Sequence, residues 1–389
     1  MNREEFPMLK ENIIYFDNGA TTFKPYRVIN RMNEYYLKYN ANSHRGDYDI
    51  SFIVDDVIDD TREKIKCFLN ADDKNEIIFT KNTTEGLNYI IFGYFYHYLN
   101  EGDEVIISND EHASNILPWL ILKRLKGIKV VIVESNGRLN INILKNNITS
   151  KTKVISLAHM TNVSGDIRNI KEISKIAHEN NIIVLCDGAQ SVGHIKTDVK
   201  DLGVDFLCFS FHKMCGPTGL GVLYGKKELL KKMKPVVYGG GMNKNYDSES
   251  LLLESIPYRF EAGTQNIEAI FGANETIDFI NDIGIYNIEK RCKYLRNYLV
   301  KELEKIPYIK IYNKDNEGNS VTINMNDVLS GDLGLYLNSK KICVRSGKHC
   351  VKINHDDTVR ISLYFYNTYD EIDYLINVLK EKDKILNFI

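Results

Sequence analysis

No stretch of this 389-residue chain is apolar for long enough to cross a bilayer, since a spanning helix needs about 20 consecutive apolar residues. The opening segment, Met1 to Phe16, lacks the apolar block of a secretory signal because charged residues interrupt it, so the expectation is a cytoplasmic protein with no membrane partner. An excess of one charge is also missing. Fifty lysines and arginines stand against 52 aspartates and glutamates, which leaves no basic field for nucleic acid and no acidic tail. Small molecules or another protein suit this balance better. No repeat, low-complexity tract or proline- or glycine-rich linker is present. The cysteines, at 67, 186, 208, 215, 292, 343 and 350, are odd in number and form no CxxC pair, which argues against a disulfide framework or a structural zinc site.

What is present is an alternation of two periodicities. Strand-like runs occur at 76–79, 104–108, 129–133, 153–158, 182–186, 205–210 and 221–224. Between two of them Ile167, Ile170, Ile173 and Ile176 recur every three residues, with Ala177 widening the stripe, which is one face of a helix. Such alternation predicts an α/β fold with a large, mainly parallel sheet covered on both faces. From about residue 283 the pattern changes to a long helical stripe, then short runs at 308–312, 320–325, 341–344 and 358–363, then a closing helix from Thr368 to about Leu386. This predicts a large domain over 13–282 and a smaller α/β domain built from 1–12 and 283–389. Thr368 with Glu371 forms a capping box for the last helix.

In parallel sheets ligands collect beyond the carboxyl ends of the strands, and polar residues follow nearly every run here. Lys213 ends the stretch DFLCFSFHK, and Asp187 follows IIVLC. A lysine at a buried strand end is a good amine nucleophile because desolvation lowers its pKa. Lysine and carboxylate together suit pyridoxal phosphate: the amine holds the aldehyde and the carboxylate keeps the ring nitrogen protonated. Thr83 and Thr84 stand where a strand gives way to a helix, a position that favours a phosphate, and Ser210 and His212 flank the lysine as further donors. His112, just past a strand, suits a flat imidazole stacked on a cofactor ring, where it would assist proton transfer. His44 lies in a polar loop, His44-Arg45-Gly46.

The segment RSGKHCVKI supplies a nucleophile. Cys350 lies in a short loop between two strand runs behind Arg345, Lys348 and His349, and cationic neighbours favour thiolate. A metal reading of His349, Cys350 and His355 fails for want of a fourth ligand. Arg360, inside the apolar run TVRISL, needs a buried anion, either a structural carboxylate or a substrate carboxylate.

Taken together, these residues resemble the class V aminotransferase family, and within it the SufS-type cysteine desulfurases. The likeness runs from Tyr15-Phe-Asp-Asn-Gly-Ala-Thr-Thr to the last helix and includes HRG (44–46), TTEG (83–86), EHASNILPW (111–119), DGAQS (187–191), HKMCGPTG (212–219), RFEAGTQN (259–266) and RSGKHC (345–350). It implies the fold type I of pyridoxal phosphate-dependent transferases. It further implies that Lys213 binds the cofactor, Asp187 pairs with the ring nitrogen, Gln190 contacts the phenolic oxygen and His112 stacks on the ring. Thr84, Ser210 and His212 would hold the phosphate, with Thr264 arriving from the second subunit of a homodimer. Arg360 and Asn162 would hold the carboxylate of L-cysteine, in a substrate region that also includes Arg345 and His44. Cys350 would take the sulfur as a persulfide, leave alanine, and pass the sulfur to a SufE- or SufU-like acceptor for iron–sulfur cluster assembly.

The sequence departs from the usual R-x-G-H-H-C-A-x-P at Lys348 and at Val351-Lys352-Ile353, and has Phe211 where glycine is usual. Selenocysteine lyase, or an epimerase or lyase acting on another small amino acid, is the alternative on the same scaffold. Cys350 favours desulfuration over these.

Overall fold

A computed structural model describes residues 3–43, 46–351 and 356–388. Its centre is a seven-stranded sheet in the order Ile77–Thr80, Gly221–Gly225, Phe206–Ser210, Ile183–Asp187, Thr152–Ala158, Glu104–Ser108, Lys129–Val133. Six strands run in one direction and Gly221–Gly225 runs against its two neighbours. That exception has a simple cause. The link from Phe211 to Leu220 contains a turn of 3₁₀ helix but no crossover helix, and a parallel return needs one. The strands are buried almost throughout, apart from the edge strand Lys129–Val133. The expected runs therefore form strands to within a residue or so of where their pattern placed them.

Helices cover both faces, and their ends follow local chemistry. Helix Thr83–Ile90 starts where the Asn82 side chain accepts the Glu85 N–H at 2.9 Å. It lies so close to the sheet that a Cβ on Gly86 would fall 2.8 Å from the Cys208 sulfur, so only glycine lets its N-terminus approach the strand that leads to Lys213. Helix Ile170–Glu179 buries Ile170, Ile173 and Ala177, while Ile167 precedes it and bridges to Met160.

The C-terminal part is a four-stranded antiparallel sheet in the order Ile309–Tyr312, Ser320–Met325, Thr358–Ser362, Arg345–Gly347, with its own apolar core. Two sequence expectations change here. Ile342–Cys343 does not join this sheet but pairs in parallel with Ile14–Tyr15. The edge position belongs instead to Arg345–Gly347, which reads as loop because an exposed edge strand needs no apolar alternation. The terminal helix is also two helices, Tyr369–Leu379 and Lys382–Phe388. The Thr368/Glu371 capping box opens the first, and buried Leu379 and Ile385 are out of phase with one 3.6-residue stripe, so the chain bends to bury both.

The N-terminal segment touches both cores. Phe6 packs on Phe279, Phe365 and Tyr366, whereas Phe16 is buried among the residues of the small sheet. Among the described residues no helix is long and apolar enough to cross a membrane.

One buried ion pair ties helix Asp49–Leu69 to the segment that carries Thr264. The Arg62 guanidinium donates to both oxygens of Glu261, at 2.8 and 2.9 Å, and both side chains are almost wholly buried. Glu261 also accepts the Phe79 N–H at 2.8 Å, and Arg62 donates to the Ile77 carbonyl. Arg62→Ala leaves a buried carboxylate without its cation and should cost about 3–5 kcal/mol, read as a lower urea midpoint. A loss below about 1 kcal/mol would mean that water already screens the pair.

Candidate active site

The carboxyl ends of the parallel strands open into one cavity of about 310 Å³. It is lined by Thr83, Thr84, His112, Asn162, Asp187, Gln190, Ser210, His212, Lys213, Arg345, Cys350 and Arg360, which the sequence reading picked from widely spaced segments. Two other candidate residues lie elsewhere, one of them, Thr264, expected to serve a second subunit. Thr264 is exposed and lines a separate cleft with Asn42, Ser43 and Gly241, and His44 lies outside the described residues.

Lys213 closes a 3₁₀ turn directly after strand Phe206–Ser210. Burial drives its pKa down to about 8, although the nearby Asp187 carboxylate pulls the other way. Asp187 ends the adjacent strand, and burial pushes its carboxyl up to about 6 while the Ala189 N–H and the Lys213 charge act against the rise. Two buried ionisable groups, each shifted toward its neutral form, therefore face one cavity. The backbone of the lysine segment is held from two sides. The His212 carbonyl accepts from the Thr22 N–H at 2.9 Å and from both threonine hydroxyls of Thr21-Thr22. On the other side His194 Nε2 lies 2.9 Å from the Lys213 carbonyl, and its Nδ1 is 3.1 Å from the Asn319 amide nitrogen.

The hydroxyls at the strand-to-helix turn form short chains. The Ser210 hydroxyl accepts the Thr83 N–H at 2.8 Å and lies 2.7 Å from the Thr83 hydroxyl. The Thr84 hydroxyl lies 2.7 Å from that of Ser114. Ser114 meets His112 Nδ1 through its N–H (3.2 Å) and its hydroxyl (3.0 Å), which makes Nδ1 an acceptor and leaves the proton on Nε2. Burial, with Lys213 and Arg360 nearby, takes His112 down to about 4, so the ring is neutral near pH 7. His212 is likewise held near 4 by burial. Behind the His112 loop, Glu111 is fully buried and pairs with Arg168, which also donates to the Ser108 hydroxyl at 2.7 Å.

At the other end Cys350 is exposed, on a loop that follows the edge strand Arg345–Gly347. His349 and Cys350 both adopt left-handed backbone, φ 51° and 62°, which costs a non-glycine residue about 1 kcal/mol or more. Hydrogen bonds impose that shape. The Ala113 N–H donates to the Cys350 carbonyl at 3.0 Å, Val351 N–H to the Lys348 carbonyl at 2.9 Å, and the Asn162 amide to the His349 carbonyl at 2.8 Å.

One expectation needs correction here, and for Arg360 the structure supplies one of the two anions left open. His349 is not one of the cations beside Cys350: its ring is buried, lies 3.0 Å from the Thr358 hydroxyl, and is driven to about 3 by burial and by Arg360. Arg360 has a structural carboxylate as its anion, because its Nη2 donates to Asp17 at 3.0 Å while Nη1 donates to the Asn162 carbonyl at 3.0 Å. Asp17 also receives Arg345, from Nε to Oδ1 at 3.1 Å and from Nη2 to Oδ2 at 3.0 Å. Asp17, Gly19, Ser114 and Met160 escaped the sequence reading. Asp17 and Gly19 sit inside the Tyr15-Phe-Asp-Asn-Gly string, and Ser114 is two residues past His112, so position alone could have flagged them.

A buried lysine facing a carboxylate at the carboxyl ends of a mainly parallel sheet defines a pyridoxal phosphate enzyme of fold type I. The chain belongs to the aminotransferase class-V family, whose model matches residues 14–375. Among curated relatives it is similar to a probable cysteine desulfurase of Halalkalibacterium halodurans, 38% identical over 97% of this chain and 96% of the relative. A second, from Staphylococcus aureus, is 37% identical over 99% and 97%. Of solved structures, the apo cysteine desulfurase of Thermococcus onnurineus matches with a TM-score of 0.94 at 35% identity, over 98% of this chain and 97% of that one. The cysteine desulfurase CsdA of Escherichia coli, in its S-sulfonic acid form, matches at 0.92 and 31%, over 100% and 98%.

The residues present fit pyridoxal phosphate. Gln190 donates through its amide to the Gly19 carbonyl at 2.8 Å, yet its Oε1 is buried with no hydrogen-bond partner among the described residues. Among the described residues Asp187 has no cationic hydrogen-bond partner, which the protonated nitrogen of a bound pyridine ring would provide.

The depressed pKa of Lys213 makes a pH prediction. A lowered lysine pKa means that free amine, the form that captures an aldehyde, accumulates as pH rises through about 8. Covalent uptake of pyridoxal phosphate by cofactor-free protein, followed by visible absorbance, should accelerate across that range and vanish in Lys213→Ala. A midpoint at the ordinary lysine value of about 10.4 would refute the burial argument.

Proposed function

We propose that the chain is a cysteine desulfurase, converting L-cysteine to L-alanine and carrying the released sulfur as a persulfide on Cys350. The observation that carries the reading is one cavity lined by buried Lys213 and Asp187 and by the exposed thiol of Cys350. The relatives named cysteine desulfurases support it.

Bound in this cavity, pyridoxal phosphate supplies an electron sink for charge that develops at the substrate α-carbon. Thr83, Thr84, Ser210 and His212 would hold its phosphate, Asp187 would pair with its ring nitrogen, Gln190 would meet its phenolic oxygen, and neutral His112 would stack on the ring. Arg360 and Asn162 orient the substrate carboxylate, with Arg345 at the same end. Lys213, a free amine above about pH 8, moves the α-proton. The Cys350 sulfur attacks the substrate sulfur. An S–S bond forms, the substrate C–S bond breaks, and its electron pair stays with carbon and takes up a proton. Cys350-SH and cysteine thus become Cys350-S-SH and alanine, with no outside oxidant.

In this reading residues 13–282 hold the cofactor, while 1–12 and 283–389 form the unit that brings Cys350 to it, except that Ile14 and Phe16 pack on the smaller unit and Phe6 on the larger core. Thr264 serves the phosphate of a second copy in a homodimer. Support comes from its exposed place in a cleft separate from the cavity of its own chain. The exposed thiol suits a cytoplasmic SufE- or SufU-like acceptor in iron–sulfur cluster assembly.

Two measurements test this. Protein treated with L-cysteine should yield alanine and a 32-Da adduct (~32, one sulfur atom, displacing nothing) on the peptide holding Cys350. Cys350→Ser should keep the cofactor absorbance and lose both products; sulfur found on Cys343 or Cys215 would reject the assignment. Light scattering should report a dimer, and Thr264→Val should weaken cofactor binding; a fully loaded, active monomer would refute the shared site.

A further inference from the structure

Behind the cavity wall lies a buried polar cluster that the proposed chemistry does not use. Glu111 is fully buried, and both of its oxygens are taken. Oε1 accepts the Ser108 hydroxyl at 2.9 Å and Arg168 Nη1, while Oε2 accepts the Asn115 amide at 2.8 Å and the Ala158 N–H at 2.9 Å. Arg168 is almost as buried. Its Nη2 donates to the Ser108 hydroxyl at 2.7 Å, and its Nε, 3.7 Å from Asp166, has no hydrogen-bond partner among the described residues. Neither side chain lines the cavity. Apolar residues of similar volume often replace a buried ion pair without loss of stability, so stability alone does not account for this one.

The partners of the pair lead to two groups that line the cavity from different elements. Glu111 precedes His112, and Asn115, which it holds, closes the 3₁₀ turn Ala113–Asn115. That turn carries Ser114, whose N–H and hydroxyl fix His112 Nδ1 as an acceptor. On the other side Ala158 stands opposite Asp187 in the register of strands Thr152–Ala158 and Ile183–Asp187. The next residue, His159, donates its N–H to the Asp187 carbonyl at 2.9 Å, and its own carbonyl accepts the Arg168 N–H at 2.9 Å. One carboxylate thus ties the His112 loop to the strand end beside Asp187.

Both charges also reach the Asp187 carboxyl. Burial is the main reason it resists ionising, and the Ala189 N–H and Lys213 oppose burial; Glu111 adds to the resistance, whereas Arg168 works against it. The remaining ionisable neighbours are the buried thiols of Cys186 and Cys208.

We propose that Glu111 and Arg168 are positioning residues for the reaction, a buried pair that joins the His112 loop to the strand end beside Asp187 and steadies the charge Asp187 presents to the ring nitrogen of the cofactor. The inference rests on the reading of this cavity as a pyridoxal phosphate site. Asp187 keeps the ring electron-poor only while it is ionised and the ring nitrogen protonated. Loss of Glu111 removes a repelling charge and leaves Arg168 unpaired, so Asp187 ionises more readily. Loss of Arg168 removes the attracting charge, while the Glu111 carboxylate keeps three other donors, so Asp187 holds its proton more tightly. Mere support of the corner has no such sign. Loosening it from either side lets water in and carries Asp187 toward the ordinary carboxylate range.

Carbon NMR of full-length, cofactor-free protein containing carboxyl-labelled aspartate reads the Asp187 titration, with the signal assigned by its loss in Asp187→Asn. Wild type should titrate at about 6. Glu111→Gln should make Asp187 about a tenfold stronger acid, and Arg168→Met about a tenfold weaker one. The double variant Glu111→Gln/Arg168→Met leaves no unpaired buried charge and should return the midpoint toward wild type. A single variant too unstable without cofactor is read with it bound, since binding stabilises the fold. There the nitrogen NMR signal of ring-labelled pyridoxal phosphate should move toward the protonated form in Glu111→Gln and toward the unprotonated form in Arg168→Met. Shifts of the same sign in both single variants, or none in either, overturn the proposal while the desulfurase reading stands. Wild-type protein that takes up no pyridoxal phosphate overturns the reading of the cavity and the inference with it.

Discussion

Everything chemical in this protein depends on keeping an amine and a carboxylate out of water at the ends of neighbouring strands. Lys213 and Asp187 are each pushed toward neutrality by burial and each pulled back by the other. Surface residues would not show this balance, because solvent would screen both effects. The parallel sheet makes it possible by aligning strand ends, and the buried faces of Phe206–Ser210 and Ile183–Asp187 exclude water beneath them. Helix Thr83–Ile90 closes the same corner, pressed so near the sheet that Gly86 admits no side chain.

The large sheet was legible in the sequence because buried parallel strands read as apolar runs and their ends read as polar punctuation. Lys213, Asp187, His112 and Thr84 each follow such a run, and the cavity gathers all four. The C-terminal sheet was less legible. An exposed edge strand, Arg345–Gly347, carries no apolar signature, and a two-residue strand such as Ile342–Cys343 gives no clue to its partner. Asp17 stayed hidden for another reason: a carboxylate's importance comes from the guanidinium groups it meets, and those lie more than three hundred positions away. The neutral state of His349 was out of reach in the same way, since burial decides it and sequence neighbours do not. Phe211, where the family resemblance leads one to expect glycine, is accommodated because its ring is buried beside Phe209 and does not line the cavity.

The Cys350 loop shows how a reactive group can be both exposed and placed. Two left-handed residues in succession would relax if free, yet three backbone carbonyls of the loop are taken by Ala113, Asn162 and Val351. Two of those donors belong to segments at the carboxyl ends of the large sheet, so the nucleophile is fixed relative to the His112 loop by direct hydrogen bonds. Arg345, at the start of the same edge strand, adds an anchor through Asp17.

Because Ile14–Tyr15 and Asp17 find their partners at Ile342–Cys343 and Ser362, the start of the chain waits for its end. During synthesis every strand of the large sheet is available once residue 225 has emerged, and that sheet can form while the ribosome is still working. The N-terminal strand then remains an unsatisfied edge until the last tenth or so of the chain, by length, is made (~10%), since contacts of such sequence separation are the slowest to close. A nascent chain stalled before Ile342 would thus hold a formed lysine corner with no substrate-binding end, and would expose the Ile14–Tyr15 backbone as a place where chaperones, or another copy, could bind.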